Sequence, residues 1–152
     1  MVDHQQQHFE SNGKTILVVE DEPGLSRILG RFLRKHGYHV LSAAGSADAI
    51  TMSDAHVGAI ALLLTDVSLD VMSGRDLAVR ISRREGGALV MFMSGFPATI
   101  ADNYSYLAKP FGLEELLAKV RSVLDDEPQT VRCGPRLARS QPKSFRPAKT
   151  SP

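Results

Sequence analysis

Five short strand-like runs, each followed by a stretch of different periodicity, constrain this chain more than any other feature. They are "TILVV" (15–19), "YHVLSA" (38–43), "AIALLLT" (59–65), "ALVMFMS" (88–94) and "YSYLA" (104–108). Runs this short, apolar almost throughout and bounded by turn residues, read as strands buried on both faces. Between them the spacing becomes helical. After Pro23 and Gly24, residues Leu25, Ile28, Leu29, Phe32 and Leu33 form one stripe that ends near Gly37. Ser46 is placed to cap a short helix through about Ser53. Leu77, Val79 and Ile81 lie in a helix from Gly74 to Arg84, closed by Gly86 and Gly87. Leu113, Leu116, Leu117, Val120, Val123 and Leu124 form the clearest stripe. Parallel strands need long crossovers, usually helical, so the alternation predicts an α/β fold: a doubly wound, five-stranded parallel sheet over residues 14–127, with about five helices. Only "GFPATIADN" joins the fourth and fifth runs, which predicts a shortened fourth helix, a single turn or irregular.

The ends differ from this body. Residues 1–13 are polar, and 128–152 hold four prolines after Gln129 with almost no apolar periodicity, so both are expected to be disordered. The last segment carries Arg132, Arg136, Arg139, Lys143, Arg146 and Lys149 and no acid, which leaves twelve bases against seventeen acids in the rest. An acidic body with a basic, Pro-rich tail is therefore expected. No run approaches the roughly 18 apolar residues of a membrane span, and the N-terminus lacks the apolar centre of a secretory signal. The expected address is cytoplasmic. Cys133 is the single cysteine, so an internal disulfide and a cysteine metal cage are excluded. The five histidines are scattered and are not expected to assemble a site.

In a doubly wound sheet, ligands bind beyond the carboxyl ends of the strands. Glu20 and Asp21 follow the first run, Asp66 ends the third, Ser94 ends the fourth, and Lys109-Pro110 follows the fifth. The fold therefore gathers these groups along one edge, although about 90 positions separate the first from the last. Their chemistries are complementary. Clustered carboxylates suit a hard divalent cation, a lysine supplies a point charge for a phosphoryl group, a serine can donate to it, and a carboxylate can become an aspartyl phosphate. Each residue also has a plainer reading. Glu20 to Glu22 form an acceptable acidic turn before a helix, and Asp66, Ser94 and Lys109 could each be an ordinary loop, strand-end or surface residue.

The ordered set "VVED", "LLLTDVSLDVMSG", "MSG" and "YLAKPF" resembles the receiver domain of two-component response regulators over residues 14–127. That resemblance implies a flavodoxin-like receiver fold with Asp66 as phosphoacceptor. It implies Mg²⁺ bound directly by Asp21, with Glu20 acting through water, and ligated also by Asp66 and the backbone carbonyl of Ser68. It places Lys109 and Ser94 on the phosphoryl group and Tyr106 at the aromatic switch position, where a half-buried strand tyrosine is the competing reading. The implied donor is a histidine kinase or histidine phosphotransfer protein, and the implied product is a changed surface for a downstream protein. The chain departs from the family in having Asp70 where proline is usual. The "MSGF" with its short following segment is similar to receivers of hybrid histidine kinases.

With no output domain after the receiver segment, the expectation is a stand-alone phosphoacceptor, not a conventional enzyme, that assists its own Mg²⁺-dependent phosphotransfer and dephosphorylation. The alternatives are a phosphorylation-independent interaction module and a phosphate sink. A haloacid-dehalogenase-type phosphatase expects an acid at position 68, where this chain has Ser68. A nucleic-acid binder acting through the basic tail is the remaining alternative.

Overall fold

The computed structural model describes residues 13–84, 86–96 and 104–125. Five strands form one sheet: β1 (Thr15–Val19), β2 (His39–Ala43), β3 (Leu62–Asp66), β4 (Leu89–Ser94) and β5 (Ser105–Ala108). All neighbours are parallel and the order is β2-β1-β3-β4-β5. Four helices are described: α1 (Pro23–Lys35), α2 (Ser46–Ala55), α3 (Gly74–Ser82) and α4 (Leu113–Asp125). The shortened fourth helix and the two terminal segments of the sequence reading fall outside the described residues.

Alternation along the strands divides the core into two layers. Ile16, Val18, Leu62, Leu64, Met91, Met93 and Leu107 point to one face, where Leu29 and Leu33 of α1 and Leu116 and Val120 of α4 cover them. Leu17, Val19, Leu63 and Phe92 point to the other face, beneath Ala49 of α2 and Leu77, Ala78 and Ile81 of α3. Every residue of β1 is buried, and β3 is buried up to Thr65. This accounts for the unbroken apolar runs at those positions.

Two helix boundaries differ from expectation. The N-cap of α2 is Gly45; Ser46 is the first helical residue and is buried. Asp48 takes over part of the capping task one turn later, its carboxylate accepting from the Ala44 N–H at 3.1 Å. Helix α3 stops at Ser82, two residues early, because the Arg84 N–H turns back onto Ile81 O and the Gly87 N–H closes on Arg84 O. The Arg84 side chain then ties the helices together, donating to Ser53 Oγ at 2.9 Å and His56 O at 3.3 Å. At the end of α1, Gly37 takes φ +88°, a left-handed conformation that glycine adopts without the Cβ penalty.

The open edge of β2 is covered by a side chain. Arg34 of α1 donates to the outward-facing carbonyl of Val40 at 3.1 Å. A Cβ on Gly30 would lie 3.0 Å from Arg34 Nη1 and 3.1 Å from Ser42 Oγ. A glycine in mid-helix costs about 1 kcal/mol relative to alanine, and here it makes room for the guanidinium against the edge strand.

Gly74 opens α3 directly beneath the end of β3. A Cβ there would meet the backbone carbonyl of Asp66 at 2.1 Å, and the Gly74 N–H donates to Val67 O at 2.9 Å. Ser73 caps the helix, its hydroxyl accepting from Asp76 N–H at 3.2 Å and donating to the Asp76 carboxylate at 2.8 Å. Gly74→Ala is expected to destabilise the fold by about 3 kcal/mol, since the atoms a Cβ would meet, in Asp66 and Val67, are all backbone. Chemical denaturation measures this, and a midpoint equal to wild type would show that the β3–α3 loop yields at no cost.

Candidate functional site

The strand register determines which residues meet. Val19 lies opposite Thr65, Asp66 opposite Met93, and Ser94 opposite Ala108. One step past these pairs, Glu20, Asp66 and Lys109 converge at the carboxyl edge of the three central and outer strands. Lys109 N–H donates to Ser94 O at 2.8 Å, which holds the β5 end against β4. The Lys109-Pro110 peptide bond is cis.

Lys109 Nζ lies 2.7 Å from Asp66 Oδ2 and 2.9 Å from Glu20 Oε2. The Glu20 side chain is 2 % exposed, that of Asp66 15 % and that of Lys109 26 %. The remaining carboxylate oxygens are also held. Asp66 Oδ1 accepts from Ser68 N–H at 2.9 Å, and Glu20 Oε1 accepts from Glu22 N–H at 3.2 Å. Thr65 Oγ1 donates to the Asp66 carbonyl at 3.0 Å. The orientation of both carboxylates is thus determined by neighbours on their own loops and by one ammonium from a third strand.

The electrostatics reflect this arrangement. Burial pushes the Glu20 carboxyl above the usual carboxylate range, with the Lys109 and Glu22 hydrogen bonds opposing it and Asp21 adding to it. Burial alone would pull Lys109 down, but its hydrogen bonds to Asp66 and Glu20, with their charges, outweigh it and leave the ammonium above its ordinary value. The lysine is therefore a permanent cation in this site at neutral pH.

Glu20, Asp21 and Asp66 each present an oxygen, and the three lie within 4.8 Å of one another. Asp21 is exposed and opens the group to solvent. Of the predicted residues, Glu20, Asp21, Asp66 and Lys109 come together directly. Ser68 enters through its N–H to Asp66. Ser94 is 6 % exposed, and its hydroxyl accepts from Phe96 N–H at 2.9 Å. Tyr106 lies on the outer side of β5, 41 % exposed, with Lys119 Nζ 5.3 Å from its ring centroid and bonded to its carbonyl at 3.0 Å. Asp70 is exposed in the β3–α3 loop.

The histidines form no metal-holding group among the described residues, although His39 and His56 stack with ring centroids 5.9 Å apart, where the start of β2 and the end of α2 lie side by side. The sequence reading also missed Phe96, Lys119, Gly30 and Arg34. No local pattern marks Lys119, Gly30 or Arg34, since each acts between separate elements, and Phe96 enters through its backbone N–H, which its residue type does not announce.

Removing the lysine leaves two carboxylates facing each other, one of them buried. Lys109→Met is expected to destabilise the metal-free protein at neutral pH by about 1–3 kcal/mol, less than for a fully buried pair because the lysine is partly solvated. Equilibrium unfolding in EDTA tests this; an unchanged or raised stability would mean that the ion pair does not offset its own desolvation.

A family profile described as the response regulator receiver domain matches residues 16–121. The response regulator receiver protein CpdR of Brucella abortus is 32 % identical over 118 residues, covering 73 % of this chain and 97 % of that protein. The probable transcriptional regulatory protein TcrX of Mycobacterium tuberculosis is 29 % identical over 117 residues, covering 72 % of this chain and 49 % of that protein. The chain thus spans nearly all of the first relative and about half of the second. Among solved structures, the receiver domain of the hybrid histidine kinase CckA has a TM-score of 0.65 at 34 % identity, covering 72 % of this chain and 98 % of that one. The response regulator protein TrrA of Thermotoga maritima, in complex with Mg²⁺–BeF, has a TM-score of 0.62 at 27 % identity, covering 73 % and 99 %. The fold, the converging strand ends and these matches lead to one conclusion: the chain belongs to the response regulator receiver family, the phosphoacceptor module of two-component signalling.

Proposed function

We propose that Asp66 is the phosphoacceptor of this receiver, taking a phosphoryl group from a histidine kinase or histidine phosphotransfer protein. The observation that carries the reading is the Lys109 ammonium, held 2.7 Å from Asp66 Oδ2 beside the buried Glu20 carboxylate. Asp66 forms a bond to phosphorus as the phosphorus–nitrogen bond of the donor imidazole breaks, and the bonding pair returns to the imidazole nitrogen. Lys109 stays charged throughout and pairs with the transferred oxygens. The N–H of Ser68, already on Asp66 Oδ1, keeps the carboxylate plane oriented for attack.

The donor set fits Mg²⁺. Three carboxylate oxygens lie within 4.8 Å, and metal–oxygen distances of about 2.1 Å place opposite ligands about 4.2 Å apart. Glu20, Asp21 and Asp66, with the carbonyl of Ser68, are the residues that would hold it. Bound there, the ion would neutralise charge on the carboxylates and on phosphoryl oxygens. The same residues are proposed to serve dephosphorylation, with water as acceptor.

Phosphorylation adds a charge of about −1.5 to −2 at this edge. Ser94 then exchanges its bond to the Phe96 N–H for one donated to the phosphoryl group, which frees space behind β4 and β5 for Tyr106 to turn inward. The altered β4–β5 surface is what a downstream protein reads.

Intact-mass measurement after incubation with Mg²⁺ and a small acyl phosphate tests the assignment. One phosphate adduct is expected, absent in Asp66→Asn and absent in EDTA. An adduct that persists in Asp66→Asn would place the acceptor elsewhere.

A further inference from the structure

We infer that Lys119 is a positioning residue for the switch: it holds Tyr106 in its outward orientation and so opposes the phosphorylated state. This rests on the proposed role of Tyr106. The argument begins with what one ammonium does in two places. Lys119 Nζ donates to the Tyr106 carbonyl at 3.0 Å and lies 5.3 Å from the Tyr106 ring centroid. The two contacts have different consequences. The carbonyl belongs to the backbone of β5, so that bond pins the ammonium beside the strand whichever way the ring points. The cation–π contact exists only with the ring outward. Once anchored, the ammonium therefore discriminates between the two ring orientations, which is the condition for biasing an equilibrium.

The platform for this contact is rigid. Leu116, Leu117, Val120 and Val123 of α4 are buried, so the helix that carries Lys119 is fixed against the sheet. Beside the contact runs an open groove of about 510 Å³ between β5 and α4, lined by Tyr104, Tyr106, Glu115 and Lys119 among others. The outward ring forms one wall of that groove. On the neighbouring strand, Phe92 is opposite Tyr106 in the register, two residues before Ser94. Lys119 thus meets the ring on the groove side, where both line the same wall.

By linkage, whatever favours the outward ring weakens binding of a phosphoryl group by the same factor. A cation–π contact at an exposed site corresponds to about a two- to five-fold change in an equilibrium.

The test uses the full chain and equilibrium binding of beryllofluoride with Mg²⁺. Lys119→Met is expected to bind two- to five-fold more tightly than wild type. Lys119→Arg, which keeps a cation over the ring, should match wild type. In a Tyr106→Leu background, Lys119→Met should have no effect. Equal or weaker binding by Lys119→Met, or a gain that persists without the tyrosine ring, would overturn the inference. Wild-type protein that binds no beryllofluoride would instead overturn the receiver reading on which it stands.

Discussion

The ammonium of Lys109 between Glu20 and Asp66 is the interaction on which the site depends. Three strands contribute to it: β1 through Glu20, β3 through Asp66 and β5 through Lys109. A buried glutamate next to a second carboxylate is unfavourable by itself, and its raised pKa shows the cost of that burial. The lysine is what lets both acids stay in place in the absence of a metal. It also aligns the sheet edge, because its backbone N–H is bonded to Ser94 O in the same segment. One residue thus joins the last strand to the charge balance of the first and third.

The rest of the structure is arranged to support that edge. The apolar strands are buried on both faces, which makes the sheet stiff where it meets the acids. Gly74 lets α3 start almost in contact with the Asp66 carbonyl, so the loop after the proposed acceptor cannot drift away from it. The Ser68 N–H fixes the carboxylate plane. Beyond what they contribute to stability, these devices act together on one side chain. Their effect is that a carboxylate at a strand end has one orientation, which is what in-line transfer to it requires.

Much of this was legible in the sequence because the controlling periodicities are local. The five runs, the α1 and α4 stripes and the strand-end positions of Glu20, Asp66, Ser94 and Lys109 follow from apolar spacing and from the rule that ligands meet strand ends. What was not legible depends on contacts between distant segments. Ser46 reads as a cap by residue type, but the chain turns one residue earlier, at Gly45. His39 and His56 look scattered in sequence and stack in space. Gly30 reads as a flaw in a helix until Arg34 and the open edge of β2 are in view. Lys119 has no motif at all; its role exists only once α4 is packed against β5.

The same packing explains how chemistry at the edge can reach the surface. Strand β5 is four residues long and borders the sheet. Leu107 is buried in the core layer, between Tyr106, which faces solvent, and Ala108, which leads into Lys109. Only three positions separate the ammonium at the acids from the ring at the groove. A strand this short, with a neighbour on one side only, has few hydrogen bonds to absorb a displacement at its end, whereas β1 and β3 are gripped on both sides. If Tyr106 turns as proposed, the edge strand is where a displacement at Lys109 would meet the least resistance, next to the residues of α4 that touch it.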